Sequence, residues 1–409
     1  MKKIIISFVV ISIYISCNFK NQITNQQVII EELPSFSKHG GEPNLSVSSN
    51  GEVYLSWIEY KNDSTDVLMF SKLIDHQWSE RKIISEGSNW FVNWADFPSL
   101  KPYKNSDKLL AAHWLQKSDS GTYDYDVRIS QSKDGGLSWD SSFVIHKDSI
   151  AAEHGFVSLM PTNEQSILAV WLDGRKTKSH TSTDKHNPGP MTLRSAEIDI
   201  NGKITNQVEL DDRVCDCCQT DIAYSKDGPI VVYRDRSGKE IRDISYVRKV
   251  KNEWTKPKPI SIDNWKIAGC PVNGPAIDAK DQLVVVAWYT MQDGNGNVNI
   301  SFSNNGGETF EKPISVSSSN PLGRVDIILL DDNKAAVSWI EEVNNETFIK
   351  FKILDQKGHI YCDKNVASIS SERSSGFPRM VKNKDKVIFA WTQSTSKNKN
   401  IKTALVNIK

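Results

Sequence analysis

Net charge is the first thing this chain lacks. Its 50 lysines and arginines balance 50 aspartates and glutamates over 409 residues. No long-range field therefore draws it to nucleic acid or acidic lipid, and a charged partner has to be recognised locally. Long apolar runs are also missing. The stretch Ile4 to Ile15 is too short to span a bilayer. Helical periodicity is almost absent, which leaves the all-β class. Cysteine is sparse, with six residues, but four of the six crowd into two short segments. What the chain does have is 12 tryptophans and a repeat. Seven times an apolar run ends in an aromatic: Val53 to Trp57, Leu109 to Trp114, Ile167 to Trp171, Ile230 to Tyr233, Leu283 to Trp288, Ala335 to Trp339 and Val387 to Trp391. The spacing, roughly 50 to 60 residues, is the length of one four-stranded unit.

The period predicts a β-propeller of seven four-stranded blades, with six as the alternative, occupying residues 27–409 as one domain. Each unit has a first strand, the apolar strand with its aromatic, a third strand alternating as Val127-Arg128-Ile129-Ser130 does, and an outer strand. The last unit stops at its third strand, Ile401 to Val406. An orphan strand, Gln27 to Glu32, lies before the first unit and is expected to supply the missing outer edge and close the ring.

Ahead of the propeller, Lys2, Lys3 and the apolar run suit a signal peptide over residues 1–17. The run Tyr14-Ile15-Ser16-Cys17 resembles a bacterial lipoprotein box. That resemblance implies cleavage before Cys17 and lipidation of its thiol, with residues 18–26 as a polar tether. It also implies an extracytoplasmic protein held on a membrane by the lipid alone. Asn18 points to the outer membrane of a Gram-negative cell.

After the third strand of the second unit comes Ser132-Lys133-Asp134-Gly135-Gly136-Leu137-Ser138-Trp139. It resembles the Asp-box, S-x-D-x-G-x-T-W, of the sialidase superfamily, in which Ser132, Asp134, Gly136 and Trp139 are structural. A weaker copy is Ser303 to Phe310. The expected physics is a turn: glycines supply positive φ, the aspartate caps backbone amides, and the aromatic plugs the gap between strands.

Strand direction alternates within a blade. The inter-blade segments and the loops after each aromatic therefore emerge on one face, opposite the Asp-box corners. That face collects arginine, carboxylate, imidazole, indole and thiol, Glu153 and Arg373 among them. In sialidases three arginines clamp the substrate carboxylate, a tyrosine activated by a glutamate attacks the anomeric carbon, and an aspartate is acid/base. The resemblance implies Arg175, Arg234, Arg236, Arg324 and Arg379 as clamp candidates and Asp96 as the acid, for a glycan or another carboxylated ligand. An Arg-Asp salt-bridge network over 234–243 is the alternative. The family's early Arg-Ile-Pro is absent, and no late tyrosine with a glutamate partner is legible.

Cys215, Cys217 and Cys218 lead into the fourth blade and Cys270 into the fifth. Two readings stay open. One is disulfide stapling, for instance Cys218 to Cys270, in an oxidising compartment. The other is a Cu or Zn site, with His39 and His154 on the same rim. Cys362 lies on the other side, alone. His76, His113, His146 and His359 read as structural, and residues 176–190 as a polar flap over the rim. The expectation is a monomeric propeller that binds or hydrolyses glycans. The rivals are a metal-binding or disulfide-stapled scaffold and a protein-interaction platform.

Overall fold

A sequence that is apolar every second residue can bury only one face of a strand. The second strand of each repeat is apolar throughout and has to be covered on both. In the computed structural model, which describes residues 29–34, 39–178, 189–395 and 398–408, that covering comes from neighbouring blades. Seven antiparallel sheets form, and the second strand of each holds the repeated aromatic: Val53–Asn62, Leu110–Lys117, Ser166–Asp173, Gly228–Arg234, Leu283–Gln292, Lys334–Val343 and Lys386–Ser394. Trp57, Trp171, Tyr233, Trp288 and Trp339 are fully buried. Seven apolar clusters hold the ring, each built mainly from two adjacent blades. Stability therefore resides between the sheets, with each sheet supplying one side of two cores.

The expected closure is present. Ile30–Leu33 pairs antiparallel with Lys399–Asn407, setting Ile30 opposite Val406 and Leu33 opposite Thr403. The described strand begins at Ile30, three residues later than the sequence suggests. The first and fourth blades split their outer edge, with Gln77–Trp78 and Lys82–Gly87 both pairing with Thr65–Ile74 in the first.

Two turns follow the glycine-and-aspartate logic read from the sequence. Gly135 and Gly136 adopt φ of 76° and 81°. Asp134 Oδ1 accepts the backbone N–H of Leu137 and of Ser138, each at 2.9 Å. A Cβ on Gly136 would lie 2.4 Å from Phe70, and Trp139 packs edge-on against that same ring. Asn305 plays the corresponding part in the second turn, accepting from Thr309 N–H at 3.1 Å.

Aspartates on or before the innermost strands stitch blade to blade. Asp221 accepts from Ile277 N–H at 3.0 Å, Asp278 from Leu329 N–H at 2.7 Å and Asp326 from Met380 N–H at 2.7 Å. Three of these innermost strands also carry a bulge: Gly40–Val47, His154–Pro161 and Asn320–Leu329. At each bulge a non-glycine residue sits at positive φ: Glu42 at 55°, Phe156 at 52° and Arg324 at 56°. Their amides are held from another blade or an inter-blade segment, by Thr392, Asp96 and Asn273 respectively. Left-handed backbone at such residues is costly, and it persists because a cross-blade hydrogen bond fixes it.

Candidate functional site

The loops expected to converge do so. A cleft of about 570 Å³ opens on the face opposite the Asp134 turn, within the range of roughly 300–1,000 Å³ usual for ligand sites. Its walls come from the segments before the second to fifth and the seventh blades, and from loops after the aromatics of the second, third and fourth. Phe91, Trp94, Tyr123 and Val272 give it an apolar side. Glu153, Asp216, Arg236 and Arg373 give it a polar one, and Cys217 and Cys270 line it as well.

At its foot lies a chain of three oxygen acids. Tyr125, fully buried at the start of the third strand of the second blade, places its hydroxyl 2.9 Å from Glu153 Oε1 and 3.2 Å from Asp96 Oδ2. One phenolic proton serves only one acceptor at a time. The second contact is a full hydrogen bond only when that carboxyl carries its own proton. The electrostatics agree. Burial pushes Glu153 up to about 8, reinforced by the carboxylates Asp96 and Asp216 against the Tyr125 hydrogen bond. Burial likewise pushes Asp96 up to about 7, against the stabilising Phe156 N–H and Tyr125 hydroxyl. Burial and the two flanking carboxyls hold Tyr125 well above the ordinary phenol range.

Local structure explains how the three meet. The bulge in His154–Pro161 lifts the chain toward Asp96, whose Oδ1 accepts the Phe156 amide at 2.7 Å. Gly155 is required there, since a Cβ would sit 2.1 Å from Asp96 Oδ2 and 2.8 Å from the Tyr125 ring. Phe91 stacks on Tyr125 with ring centroids 4.0 Å apart and fixes the phenol's plane.

The arginine candidates separate sharply. Arg236 lines the cleft, held by Asp216 at 2.9 Å and Glu240 at 2.9 Å. Arg234 is 1% exposed, and its guanidinium donates to the carbonyls of Asn273, Arg242 and Tyr289. Arg324 is spent similarly, on Ser375 Oγ at 2.8 Å and nearby carbonyls. Arg175 bridges Asp148 at 2.8 Å and Asp173 at 2.7 Å. Arg379 lies deeper, 3.5 Å from Asp326. Four of the five arginines therefore brace the ring and do not reach the cleft. Arg373, on the loop-rich face by sequence but not among the clamp candidates, is an exposed residue that lines the cleft 6.0 Å above the Trp94 ring. Tyr125 was missed, because alternation with Val127 and Ile129 reads it as plain core. Glu153 was legible as a rim residue but not as the partner of a tyrosine.

The histidines do not join the thiols. His154 is fully buried, stacked on His146 at 3.7 Å and hydrogen-bonded to Asp148 at 3.1 Å. His39 packs against Tyr60 in the first blade. Arg175 and His154 each face both Asp148 and Asp173, so this nest is an ion-pair network holding blade three. Cys215, Cys217 and Cys218 do converge, with Cys215 Sγ at 3.9 Å from Cys217 Sγ and 3.4 Å from Cys218 Sγ. Each is a free thiol, as are Cys270 and Cys362. Cys270 lines the cleft with Cys217 and stands outside the three-sulfur group. Most of the flap, residues 179–188, and the anchor at Cys17 lie outside the described residues.

No protein-family model and no curated protein matches the chain. Solved structures do. An ulvan lyase described as a new family of polysaccharide lyase superposes with a TM-score of 0.56 at 10% identity, over 92% of this chain and 96% of its own. A protein of unknown function from Dyadobacter fermentans gives 0.54 at 15% identity, over 93% and 99%. The alpha-L-arabinofuranosidase of Fusarium graminearum gives 0.50 at 10% identity, over 92% and 98%. Sialidases also match, at lower TM-scores of 0.45 and 0.46. At these identities the likeness is one of fold.

Proposed function

We propose that the protein binds an acidic glycan in this cleft and cleaves a glycosidic bond by acid–base chemistry, on the extracytoplasmic side of a membrane to which Cys17 tethers it. The observation that carries the proposal is the Asp96–Tyr125–Glu153 chain at the foot of an aromatic cleft. The glycan-acting propellers of similar fold support the ligand class. A sialylated glycan is one member of that class.

Each role follows from the geometry. Glu153 lines the cleft and, titrating near 8, holds its proton at neutral pH, as a general acid for a leaving oxygen must. The glycosidic bond breaks as its oxygen takes the Glu153 proton, a water adds to the anomeric carbon, and the proton which that water gives up returns to Glu153. The Tyr125 hydroxyl, shared with Asp96, spreads the charge Glu153 carries between the two steps. Arg373 and Arg236 offer planar forks for a carboxylate or sulfate, and Trp94 with Tyr123 offers faces for sugar rings.

The test is a panel of acidic oligosaccharides, sialylated and uronate-containing, assayed for binding and cleavage. Glu153→Gln keeps the shape and removes the transferable proton, so turnover should fall by about 10²–10⁴ while binding stays close to wild type. Retention of full cleavage by Glu153→Gln, or indifference of the protein to every acidic glycan in the panel, overturns the proposal.

A further inference from the structure

Three sulfurs on one short loop form a cup beside the cleft. The sulfurs of Cys215, Cys217 and Cys218 all lie within 4.8 Å of one another. Zinc bonds thiolate sulfur at about 2.3 Å, which sets the edge of a tetrahedron at about 3.8 Å between sulfurs. The observed 3.4 and 3.9 Å bracket that edge. Trigonal binding of a monovalent d¹⁰ ion requires nearly the same spacing. A disulfide requires about 2.05 Å, and a loop closing a Cys-x-Cys-Cys bridge would have to rearrange to reach it.

The surroundings are built for sulfur as an acceptor. Arg242, 2% exposed, donates to Cys215 Sγ at 3.1 Å and has Glu240 as its carboxylate partner at 2.8 Å. The backbone amide of Asn273 donates to Cys218 Sγ at 3.4 Å. Amide and guanidinium donors to sulfur orient thiolate ligands and offset the negative charge that several thiolates accumulate on one ion. Cys270, exposed on the next inter-blade segment, lines the same cleft as Cys217 but stands outside the three-sulfur group, so it would have to move in to serve as a fourth ligand.

We propose that Cys215, Cys217 and Cys218 bind one thiophilic d¹⁰ ion, Cu(I) in the three-sulfur cup or Zn(II) with Cys270 drawn in as a fourth ligand, and that in the four-sulfur form the ion pins the segment entering the fourth blade to the one entering the fifth. Each thiol releases its proton to solvent as its sulfur bonds the ion, and no electron is transferred. The site goes beyond glycan cleavage. Its readout uses no glycan, so its failure and that of the cleft chemistry are separable.

The experiment reduces the purified full chain, titrates it with Zn(II) and, without oxygen, with Cu(I), and counts ions by native mass spectrometry. One ion per chain is expected. Cys217→Ser should weaken retention at least about tenfold, and Cys362→Ser should leave it unchanged. Loss of affinity in Cys270→Ser identifies the four-sulfur zinc form, and no loss identifies the three-sulfur copper form. Should Cys217→Ser fail to fold, X-ray absorption on the loaded wild-type protein decides instead, through three or four sulfurs at about 2.3 Å. Failure to hold an equimolar ion overturns the proposal, as does undiminished binding by Cys217→Ser. So does a protein isolated two mass units lighter per cysteine pair, which marks disulfides.

Discussion

Two arginines show how far residue type is from residue role. Arg234 and Arg373 are both on the loop-rich face by sequence. Arg234 is sealed under Trp265 with its guanidinium 4.8 Å from that ring and its donors committed to three carbonyls. Truncating it to alanine leaves buried carbonyls without donors, at about 1–3 kcal/mol for such groups. Arg234→Ala should therefore lower the unfolding free energy by on the order of 3 kcal/mol, read from urea titration. Arg373→Ala should change stability by less than about 0.5 kcal/mol yet weaken acidic-glycan binding about tenfold in calorimetric titration. The opposite pattern would remove Arg373 from the cleft's recognition set. Gly155 makes the same point by absence. Gly155→Ala forces a methyl into Asp96 and Tyr125, so cleavage should drop at least about a hundredfold even in protein that remains folded by circular dichroism.

Among elements, the N-terminal strand has the most to lose. Ile30–Leu33 contributes one edge of the seventh sheet, and Leu33 is buried there. Its hydrogen bonds to Lys399–Asn407 cover an edge that would otherwise be open. Removing residues 1–34 should lower stability by roughly 3 kcal/mol and raise aggregation in light scattering. A truncated chain as stable and soluble as the whole would assign ring closure to the inter-blade cores alone. The Asp134 turn is also an element-scale device. Its aspartate is held at about 2 by the Ser138 hydroxyl and amide, a short-range arrangement that the eight-residue motif makes visible in sequence.

At the scale of the molecule, the aspartates that stitch adjacent blades set a pH dependence. Burial pushes Asp278 up to about 6 and Asp326 up to about 6, against the backbone amides that each accepts. An unfolded aspartate titrates near about 3.9, so between about pH 4 and 6 the folded chain binds more protons than the unfolded one. Stability contributed by these groups is then fully present below about pH 4 and is lost as pH rises through about 6. Asp278→Asn should flatten that slope by on the order of 2 kcal/mol across the window, measured as urea midpoints at successive pH values. An unaltered slope would show that Asp278 does not titrate there.

The amino-acid sequence determined the class, the seven repeats, the closure by an N-terminal strand and the face on which function gathers. It could do so because these depend on local pattern: apolar runs ending in Trp57 through Trp391, glycine turns at 135–136, and the alternation of strand direction. It also marked Cys215, Cys217 and Cys218 as neighbours, since three cysteines within four positions cannot lie far apart. Only the tertiary structure decided which rim residues touch. Asp96, Tyr125 and Glu153 come from three separate segments, and their meeting depends on a bulge at Gly155–Ser158 that carries the Phe156 amide to Asp96. The burial of Arg234, Arg324 and Arg175 was decided in the same way. A guanidinium turns inward or outward according to which carbonyls and carboxylates the neighbouring blade presents, and no local pattern encodes that choice.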